Sequence, residues 1–530
     1  MEVVRLADIS KIKLKSTGTT YNLKDEVARS AISGHTIVNN NGSEMTQRSK
    51  LKFINGTVTD DQTNNQTIIN LGGGSGGHAI VDSDGNEYTQ RSKLKILNST
   101  ITDDSANDTT IIDPTTPSGR VIYGFNISAS EGSPSLKVTY LEDAVGMTPA
   151  KMDFTTGEFN YGSWENAFFM PKPCMVKYDG TLDYYLNPND YRYKENGTTA
   201  SDVANTSYAG NAMMQWGANG HIWMKVVGIN YTSANIYIAN YQVDGHYHDW
   251  PFHNSLGNRV DYFYTPIYNG SLISNKLRSI SNKLRSISGQ QVMNTKTAQE
   301  EIDYAKANNL TSNEIWNTEN YADIVLINAL FTLMFKSTDS QSVLGQGLSV
   351  NGSETINNGF QTGVHNTKGL FYGTNSGEAT NYSNAVKVFG MENYYAFQWR
   401  RYHGHIIDNG NQKIKMTYGT EDGSTTTGYN LTGTGYINSE MAPNGTLGGY
   451  ITTYTFYDDK GSILPYTASA SSSTHYCDGM WFNNSIVTVP YRGASSDTAA
   501  LCGLWAFSSH FGASYSHWAI GAALSCKPLA

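Results

Sequence analysis

A direct repeat near the N-terminus constrains the fold of this chain more than any other feature. Residues 34–69 recur at 77–112 with an offset of 43 positions, and the heptapeptide TQRSKLK is identical in both copies. Each copy contains an Asn-Gly or Asp-Gly turn signal, an alternating run and a short Thr/Ile run, which together predict a small β unit. About forty residues bury too little surface to fold alone, so we expect each copy to stack on a neighbour or to trimerise.

The repeats also divide the chain into segments. The Gly-rich stretch between them is typical of a flexible linker, because no Lys-Ser/Thr pair and no helical pattern follow it as in a phosphate-binding loop. Alternating residues continue beyond the repeats, and one large domain is predicted after them. The predicted segments are 1–33 (N-terminal segment), 34–71 (first β repeat), 72–76 (linker), 77–113 (second β repeat), 114–152 (β connector) and 153–530 (head).

The composition favours strands and turns over helical bundles. Charged residues make up 16% of the 530 residues, which include 51 Gly and 13 Pro. The predicted fold is therefore mainly β, with an α+β head because two helical patterns interrupt the head. One pattern begins at Thr297, whose capping box with Glu300 marks a helix start. The other spans about 321–336 and is apolar on more than one side, which predicts burial.

A second duplication lies within the predicted head. Residues 274–280 are repeated without change at 281–287. An insertion of seven residues would add two helical turns or lengthen a loop. Neither outcome suggests chemistry.

Charge and cysteine content exclude several classes of function. The net charge is −9 and the longest basic run is Arg400-Arg401, so the electrostatic footprint of a nucleic-acid-binding protein is absent. A signal-peptide pattern and an apolar run of eighteen residues are also absent, which predicts synthesis in the cytosol and no membrane insertion. Cys502 and Cys526 could meet in the final sheet, although small buried thiols are the preferred interpretation of the four scattered cysteines.

Two histidine pairs are weak candidates for a metal site. His246 with His248, and His403 with His405, would each place both rings on one face of a strand. Hydrogen-bonded or exposed histidines explain the same pattern, so no metal and no cofactor are predicted. No spacing singles out a carboxylate pair, and neither a Gly-x-Ser-x-Gly motif nor a closely spaced cysteine pair occurs, so no enzyme is predicted.

The terminal segment, residues 491–524, alternates a framework of Gly, Ala, Leu and Trp with polar and aromatic residues. Antibody paratopes use the same rigid rings and small hydroxyls, which predicts recognition rather than catalysis. The alternative is an ordinary terminal β-hairpin with mixed surface residues. The residues expected to hold the scaffold are Trp481, Arg492, Trp505 and Trp518. The residues expected to contact a receptor are Ser495, Ser496, Asp497, Thr498, Phe507, Ser508, His510, Phe511, Tyr515 and His517.

Residues 475–484 and 518–528 resemble phage tail proteins with a C-type-lectin-like domain, which shares the fold of the formylglycine-generating enzyme. In that family a diversity-generating retroelement often varies the last segment, producing Ser, Thr, Asp, His, Tyr, Phe and Ala but not Lys, Glu, Gln or Met. All ten expected contact residues belong to the permitted set. Further stretches resemble the same tail and baseplate proteins, namely 4–13, 20–25, 171–180, 184–191, 210–217, 263–270, 388–393 and 399–401.

The resemblance implies a non-enzymatic receptor-binding protein that recognises a bacterial surface receptor, either a glycan or a protein, during host attachment. It also implies contact with other tail or baseplate proteins through the N-terminus, a homotrimer, and a place at the tail tip or baseplate of the virion after synthesis in the host cytoplasm. A tailspike glycosidase and a purely structural baseplate protein are the alternatives.

Overall fold

The computed structural model describes residues 119–529, except 231–232, 276–279, 350–359, 376–381, 419–427 and 440–447, together with the backbone of short strands before residue 119. The chain divides into two compact units, Met1–Arg120 and Val121–Ala530. Strands predominate in both units, which confirms the prediction of a mainly β protein.

The described residues of the first unit form nine short strands. These are β1 (Lys11–Lys13), β2 (Thr20–Asn22), β3 (Leu51–Ile54), β4 (Thr57–Asp61), β5 (Gln66–Asn70), β6 (Gly77–His78), β7 (Leu94–Leu97), β8 (Thr100–Asp104) and β9 (Thr109–Asp113). The hairpin β4–β5 in the first repeat corresponds to the hairpin β8–β9 in the second.

The two repeats exchange strands with each other. β3 of the first repeat pairs in parallel with β9 of the second, and β7 of the second repeat pairs in parallel with β5 of the first. The resulting sheets have the orders β6-β3-β9-β8 and β4-β5-β7. Each repeat thus supplies a strand to a hairpin of the other. Trimerisation stays a prediction.

Thirteen strands come first among the described residues of the second unit. These are β10 (Ile122–Ile127), β11 (Val138–Glu142), β12 (Lys151–Asp153), β13 (Glu158–Asn160), β14 (Lys172–Lys177), β15 (Leu182–Asn187), β16 (Asp190–Lys194), β17 (Gly210–Trp216), β18 (Trp223–Asn230), β19 (Ser233–Ala239), β20 (Phe263–Pro266), β21 (Ser271–Asn275) and β22 (Ile280–Arg285).

Helices and the remaining strands follow. In chain order these are α1 (Ala298–Lys306), β23 (Trp316–Thr318), α2 (Tyr321–Phe335), α3 (Ser340–Val343), β24 (Lys387–Val388), β25 (Met391–Glu392), β26 (Trp399–Arg401), β27 (His405–Asp408), β28 (Asn411–Ile414), β29 (Ile437–Ser439), β30 (Gly449–Tyr457), β31 (Ser462–Ala470), β32 (Gly479–Phe482), β33 (Tyr491–Arg492), β34 (Phe507–Ser509), β35 (Ile520–Ala522) and β36 (Leu524–Cys526).

Two seven-stranded sheets organise this unit. Their orders are β16-β15-β14-β17-β20-β36-β23 and β31-β30-β32-β34-β33-β26-β35. The terminal segment joins them, because β35 lies in one sheet and β36 in the other. A four-stranded sheet has the order β11-β10-β19-β18. Its strands β10 and β11 come from the predicted connector, 114–152, and β10 pairs with β19 of the predicted head.

Both predicted helices are confirmed. Thr297 Oγ1 accepts a hydrogen bond from the Glu300 amide at 3.3 Å, and the Glu300 carboxylate accepts one from the Thr297 amide at 2.9 Å, which together form the capping box of α1. Every residue of α2 is buried, as expected for a helix that is apolar on several sides. Within the described residues, no helix is long and apolar enough to cross a membrane.

Most described residues of the tandem heptapeptide lie in strands, which corrects the prediction of extra helical turns. Residues 276–279, on which the alternative of a longer loop depends, lie outside the described residues. β21 and β22 contain residues of both copies and pair antiparallel, with Ser271 opposite Arg285. Leu284 is fully buried in a core cluster with Trp316, and Arg285 donates a hydrogen bond to Asn211 Oδ1 at 2.9 Å. Burial of these two side chains stabilises the second copy as a strand.

All four cysteines are free and buried, which confirms their interpretation as small buried thiols. Cys526 lies in a core cluster with Cys174, whereas Cys502 belongs to a different cluster, so the alternative in which Cys502 meets Cys526 is not realised. Burial raises the pKa of each thiol, which disfavours the reactive thiolate.

Candidate functional site

A groove of about 460 Å³ lies on the sheet that contains β32, β33 and β34. It is lined by Trp399, Trp481, Tyr491, Ser495, Asp497, Thr498, Leu501, Ser508, His510, Phe511, Tyr515, His517, Ala519 and Ile520. Eight of the ten residues expected to contact a receptor are among them. The volume is typical of small-ligand sites, which occupy about 300–1,000 Å³.

Strand register decides which side chains face the groove. Trp481 pairs with Ser508, and Ser508 pairs with Tyr491, so the three side chains form one row on the same face of the sheet. The neighbouring row includes Phe507 and Arg492, and it faces the core. Phe507 is therefore buried, although it is adjacent in sequence to a residue that lines the groove.

Three aromatic rings form the floor of the groove. Trp399 meets Trp481 edge to face at a centroid distance of 5.5 Å, and it meets Tyr491 in the same manner at 5.4 Å. Both indoles are only partly buried. A Cβ atom at Gly448 or Gly479 would come within 2.8 or 2.7 Å of the Trp481 ring, so these glycines provide the space that the indole occupies.

A ladder of aromatic rings forms one wall. The His510 and Phe511 rings lie 4.6 Å apart, and Phe511 stacks on Tyr515 at 3.7 Å with 15° between the ring planes. The His517 ring continues the series, 5.9 Å from Tyr515 and nearly parallel to it. Their mutual packing limits rotamer changes and therefore lowers the entropic cost of binding a ligand.

Buried contacts hold the loop that carries this ladder. The Arg401 guanidinium donates to the carbonyl oxygen of Tyr515, and Arg401 also forms an ion pair with Glu301 of α1 at 3.1 Å. The Ala298 amide at the start of α1 donates to the Ala513 carbonyl at 2.9 Å. The wall is therefore fixed to α1 and β26 in advance of any ligand.

A polar turn, residues 495–498, forms part of the rim. Ser495 Oγ donates to Asp497 Oδ1 at 2.6 Å, and the Ser495 amide donates to Thr498 Oγ1 at 3.0 Å. The Asp497 side chain is exposed, whereas Ser496 is buried and its amide donates to the Phe397 carbonyl at 2.9 Å. Carboxylate and hydroxyl oxygens thus line the groove beside its aromatic residues.

The structure places the other predicted residues as follows. Ser496 and Phe507 are buried outside the groove lining, which leaves them without a surface for receptor contact. Arg492 and Trp505 are buried, and Trp518 packs against a small core cluster, positions that fit a scaffold. Trp481 lines the groove itself. Sequence reasoning missed the contributions of Trp399, Tyr491, Leu501, Ala519 and Ile520.

A buried charge network lies on the core side of the floor strands. Arg492 Nη2 is 2.6 Å from Glu319 Oε1, and Arg400 Nη1 is 3.5 Å from the same oxygen. Arg400 Nη2 also donates to Asn269 Oδ1 at 2.9 Å. Both guanidinium groups are buried, and Glu319 is the carboxylate that they share, so one acid joins two strands beneath the groove.

The four candidate metal ligands lie in different environments. His405 is buried between Tyr402 OH at 3.2 Å and Gln412 Oε1 at 2.8 Å, while His403 is bonded to Thr318 Oγ1. Burial lowers the pKa of both rings to about 3, so they remain neutral. His246 is exposed, and His248 stacks on Trp250. Among the described residues, no group of three or more potential ligands could hold a metal ion.

Comparisons with known proteins give few matches. No family model and no curated protein matches the chain. Among solved structures, it is similar to a Major Tropism Determinant U1 variant at 13% sequence identity, over 68% of this chain and 72% of that chain, with a TM-score of 0.23. A TM-score of this size does not establish a shared fold.

Proposed function

We propose that the chain is a non-enzymatic receptor-binding protein of a phage tail, and that the groove contacts a receptor on the bacterial surface. The observation that carries the proposal is that the predicted contact residues come together in one place. Eight residues chosen from the alternating pattern of the terminal segment line a single groove, and Trp399, Trp481 and Tyr491 form its floor.

The chemistry of the groove suits recognition. Partly exposed Trp, Tyr and Phe rings supply contact area with few rotatable bonds, and the Ser and Thr hydroxyls supply adaptable hydrogen bonds. Hydrolysis of a glycoside ordinarily uses two carboxyl groups on either side of the scissile bond. Asp497 is the carboxylate among the described residues that line the groove, so the lining supports binding more than hydrolysis.

The proposal extends to the assembly. The N-terminal segment and the β repeats would attach a homotrimer to other tail or baseplate proteins of the virion. The second unit would be a C-type-lectin-like head that presents the groove to the host.

Retention by bacterial cells tests the function. Purified, fluorescently labelled full-length chain is mixed with a panel of bacterial strains, and the bound fraction is measured after washing. We expect saturable retention on susceptible strains, competition by unlabelled chain, and loss of retention on phage-resistant derivatives. Absence of retention from every strain, or equal and unsaturable retention on all of them, would contradict the proposal.

Diversification of the groove by a retroelement is the finer part of the proposal. Deep sequencing of the encoding gene within one phage population should then reveal substitutions confined to the terminal segment, at groove positions such as Asp497, His510 and Tyr515. Framework residues such as Arg492 and Trp505 should remain constant. A segment as constant as the remainder of the gene would refute diversification and leave an adhesin of fixed specificity.

A further inference from the structure

We propose that the groove binds an uncharged glycan, with a sugar ring stacked on the indoles of Trp399 and Trp481 and its hydroxyl groups bonded to the Ser495–Thr498 turn. This inference rests on the proposed function and names the chemistry of the receptor.

The aromatic floor supplies a stacking platform. In an edge-to-face pair, one of the two rings touches its partner only with its edge. The partner therefore leaves the flat face of that ring uncovered. Trp399 forms two such contacts, with Trp481 and with Tyr491, and both indoles keep part of their surface exposed. The C–H face of a pyranose ring is flat and apolar, and it matches an open indole face in shape and polarity.

The polar rim matches the edge of the same ligand. A sugar ring stacked by its face directs hydroxyl groups outward, where they need both donors and acceptors. Asp497 presents exposed carboxylate oxygen, while Thr498, His510 and Tyr515 carry groups of both kinds. A ring lying on the floor would thus have apolar contacts beneath it and hydrogen-bonding partners at its edge, as ligand sites with a few polar groups do.

Charge favours an uncharged glycan over an anionic polymer. The groove places the Asp497 carboxylate at its rim, and the whole chain has a net charge of −9. The Arg401 guanidinium, which holds the wall at the Tyr515 carbonyl, is buried and paired with Glu301. The Asp497 carboxylate would repel a phosphate or uronate brought close to it, and the Arg401 charge is already paired. Neutral hydroxyl groups can instead donate hydrogen bonds to the carboxylate.

The experiment compares two treatments of a strain that retains the labelled full-length chain. Periodate cleaves the vicinal diols of sugars, and protease removes surface proteins. We expect periodate to abolish retention and protease to leave it unchanged. Surface polysaccharide from the same strain is also separated by anion exchange, and the uncharged fraction should inhibit retention and alter the tryptophan fluorescence of the chain.

Variants connect the result to the groove. Trp481→Ala should weaken binding of the uncharged fraction by at least about tenfold, the loss expected for an aromatic hot spot. Trp481→Phe keeps a ring and should show a smaller loss, which separates stacking from misfolding. Tyr193→Ala alters an exposed tyrosine that does not line the groove, and it should bind as the parent does.

The outcomes separate the two proposals. Loss of retention after protease but not after periodate would show that the receptor is a protein. This result would overturn the proposal of a glycan ligand but would agree with the proposed receptor-binding function. Inhibition by the anionic fraction alone would overturn the proposal that the glycan is uncharged. Unaltered binding by folded Trp481→Ala would overturn stacking on this floor. Absence of retention before any treatment would instead contradict the function itself.

Discussion

Replacing Glu319 with alanine should destabilise the second unit by about 3–5 kcal/mol, the usual cost of removing one partner from a buried ion pair. The carboxylate lies 2.6 Å from Arg492 and 3.5 Å from Arg400, and all three side chains are buried. Without the acid, two guanidinium groups would remain close together in the core. Repulsion and desolvation would then act on β26 and β33 together.

Urea unfolding followed by tryptophan fluorescence measures this effect, because all nine tryptophans lie within residues 121–530. Glu314→Ala is the matched control. Its carboxylate is 2.7 Å from Lys306, but both side chains are partly exposed, so its removal should cost about 1 kcal/mol or less. Equal midpoints for the two variants would show that the Glu319 network does not stabilise the floor.

Combined replacement of Phe511 and Tyr515 by alanine should abolish retention on host cells while leaving the fold intact. The two rings stack at 3.7 Å in the groove wall, and both are only partly buried. Their removal deletes most of the aromatic wall together with the Tyr515 hydroxyl. Replacing two hot-spot aromatic residues together is expected to lower the affinity by about a hundredfold or more.

The binding curve on a retaining strain is the measurement, and the urea midpoint monitors folding. Tyr193→Ala combined with Leu256→Ala provides the control, because it removes two exposed apolar side chains that do not line the groove. We expect parent-like binding from the control. A folded Phe511→Ala/Tyr515→Ala protein that binds like the control would move the contact surface away from the groove.

Local patterns in the sequence predicted the features that depend on local physics. The capping box at Thr297 requires only hydrogen bonds between residues three positions apart, and it forms as predicted. The helix near residue 321 follows from a continuous apolar run whose burial is favourable on every side. Small residues alternating with rings in the terminal segment predicted a group of displayed side chains, and eight of these share the groove.

Tertiary structure alone decided which residues line the groove and which buried residues hold it in place. Pairing of β34 with β32 and β33 turns Ser508 outward and Phe507 inward, and strand register depends on partners elsewhere in the chain. Trp399 enters the floor from a distant part of the sequence, since β26 is inserted between β33 and β35. Glu319 acquires its role only when two strands bring arginines to it. Side-chain identity thus determined which residues suit recognition, whereas long-range pairing determined which of them face the same space.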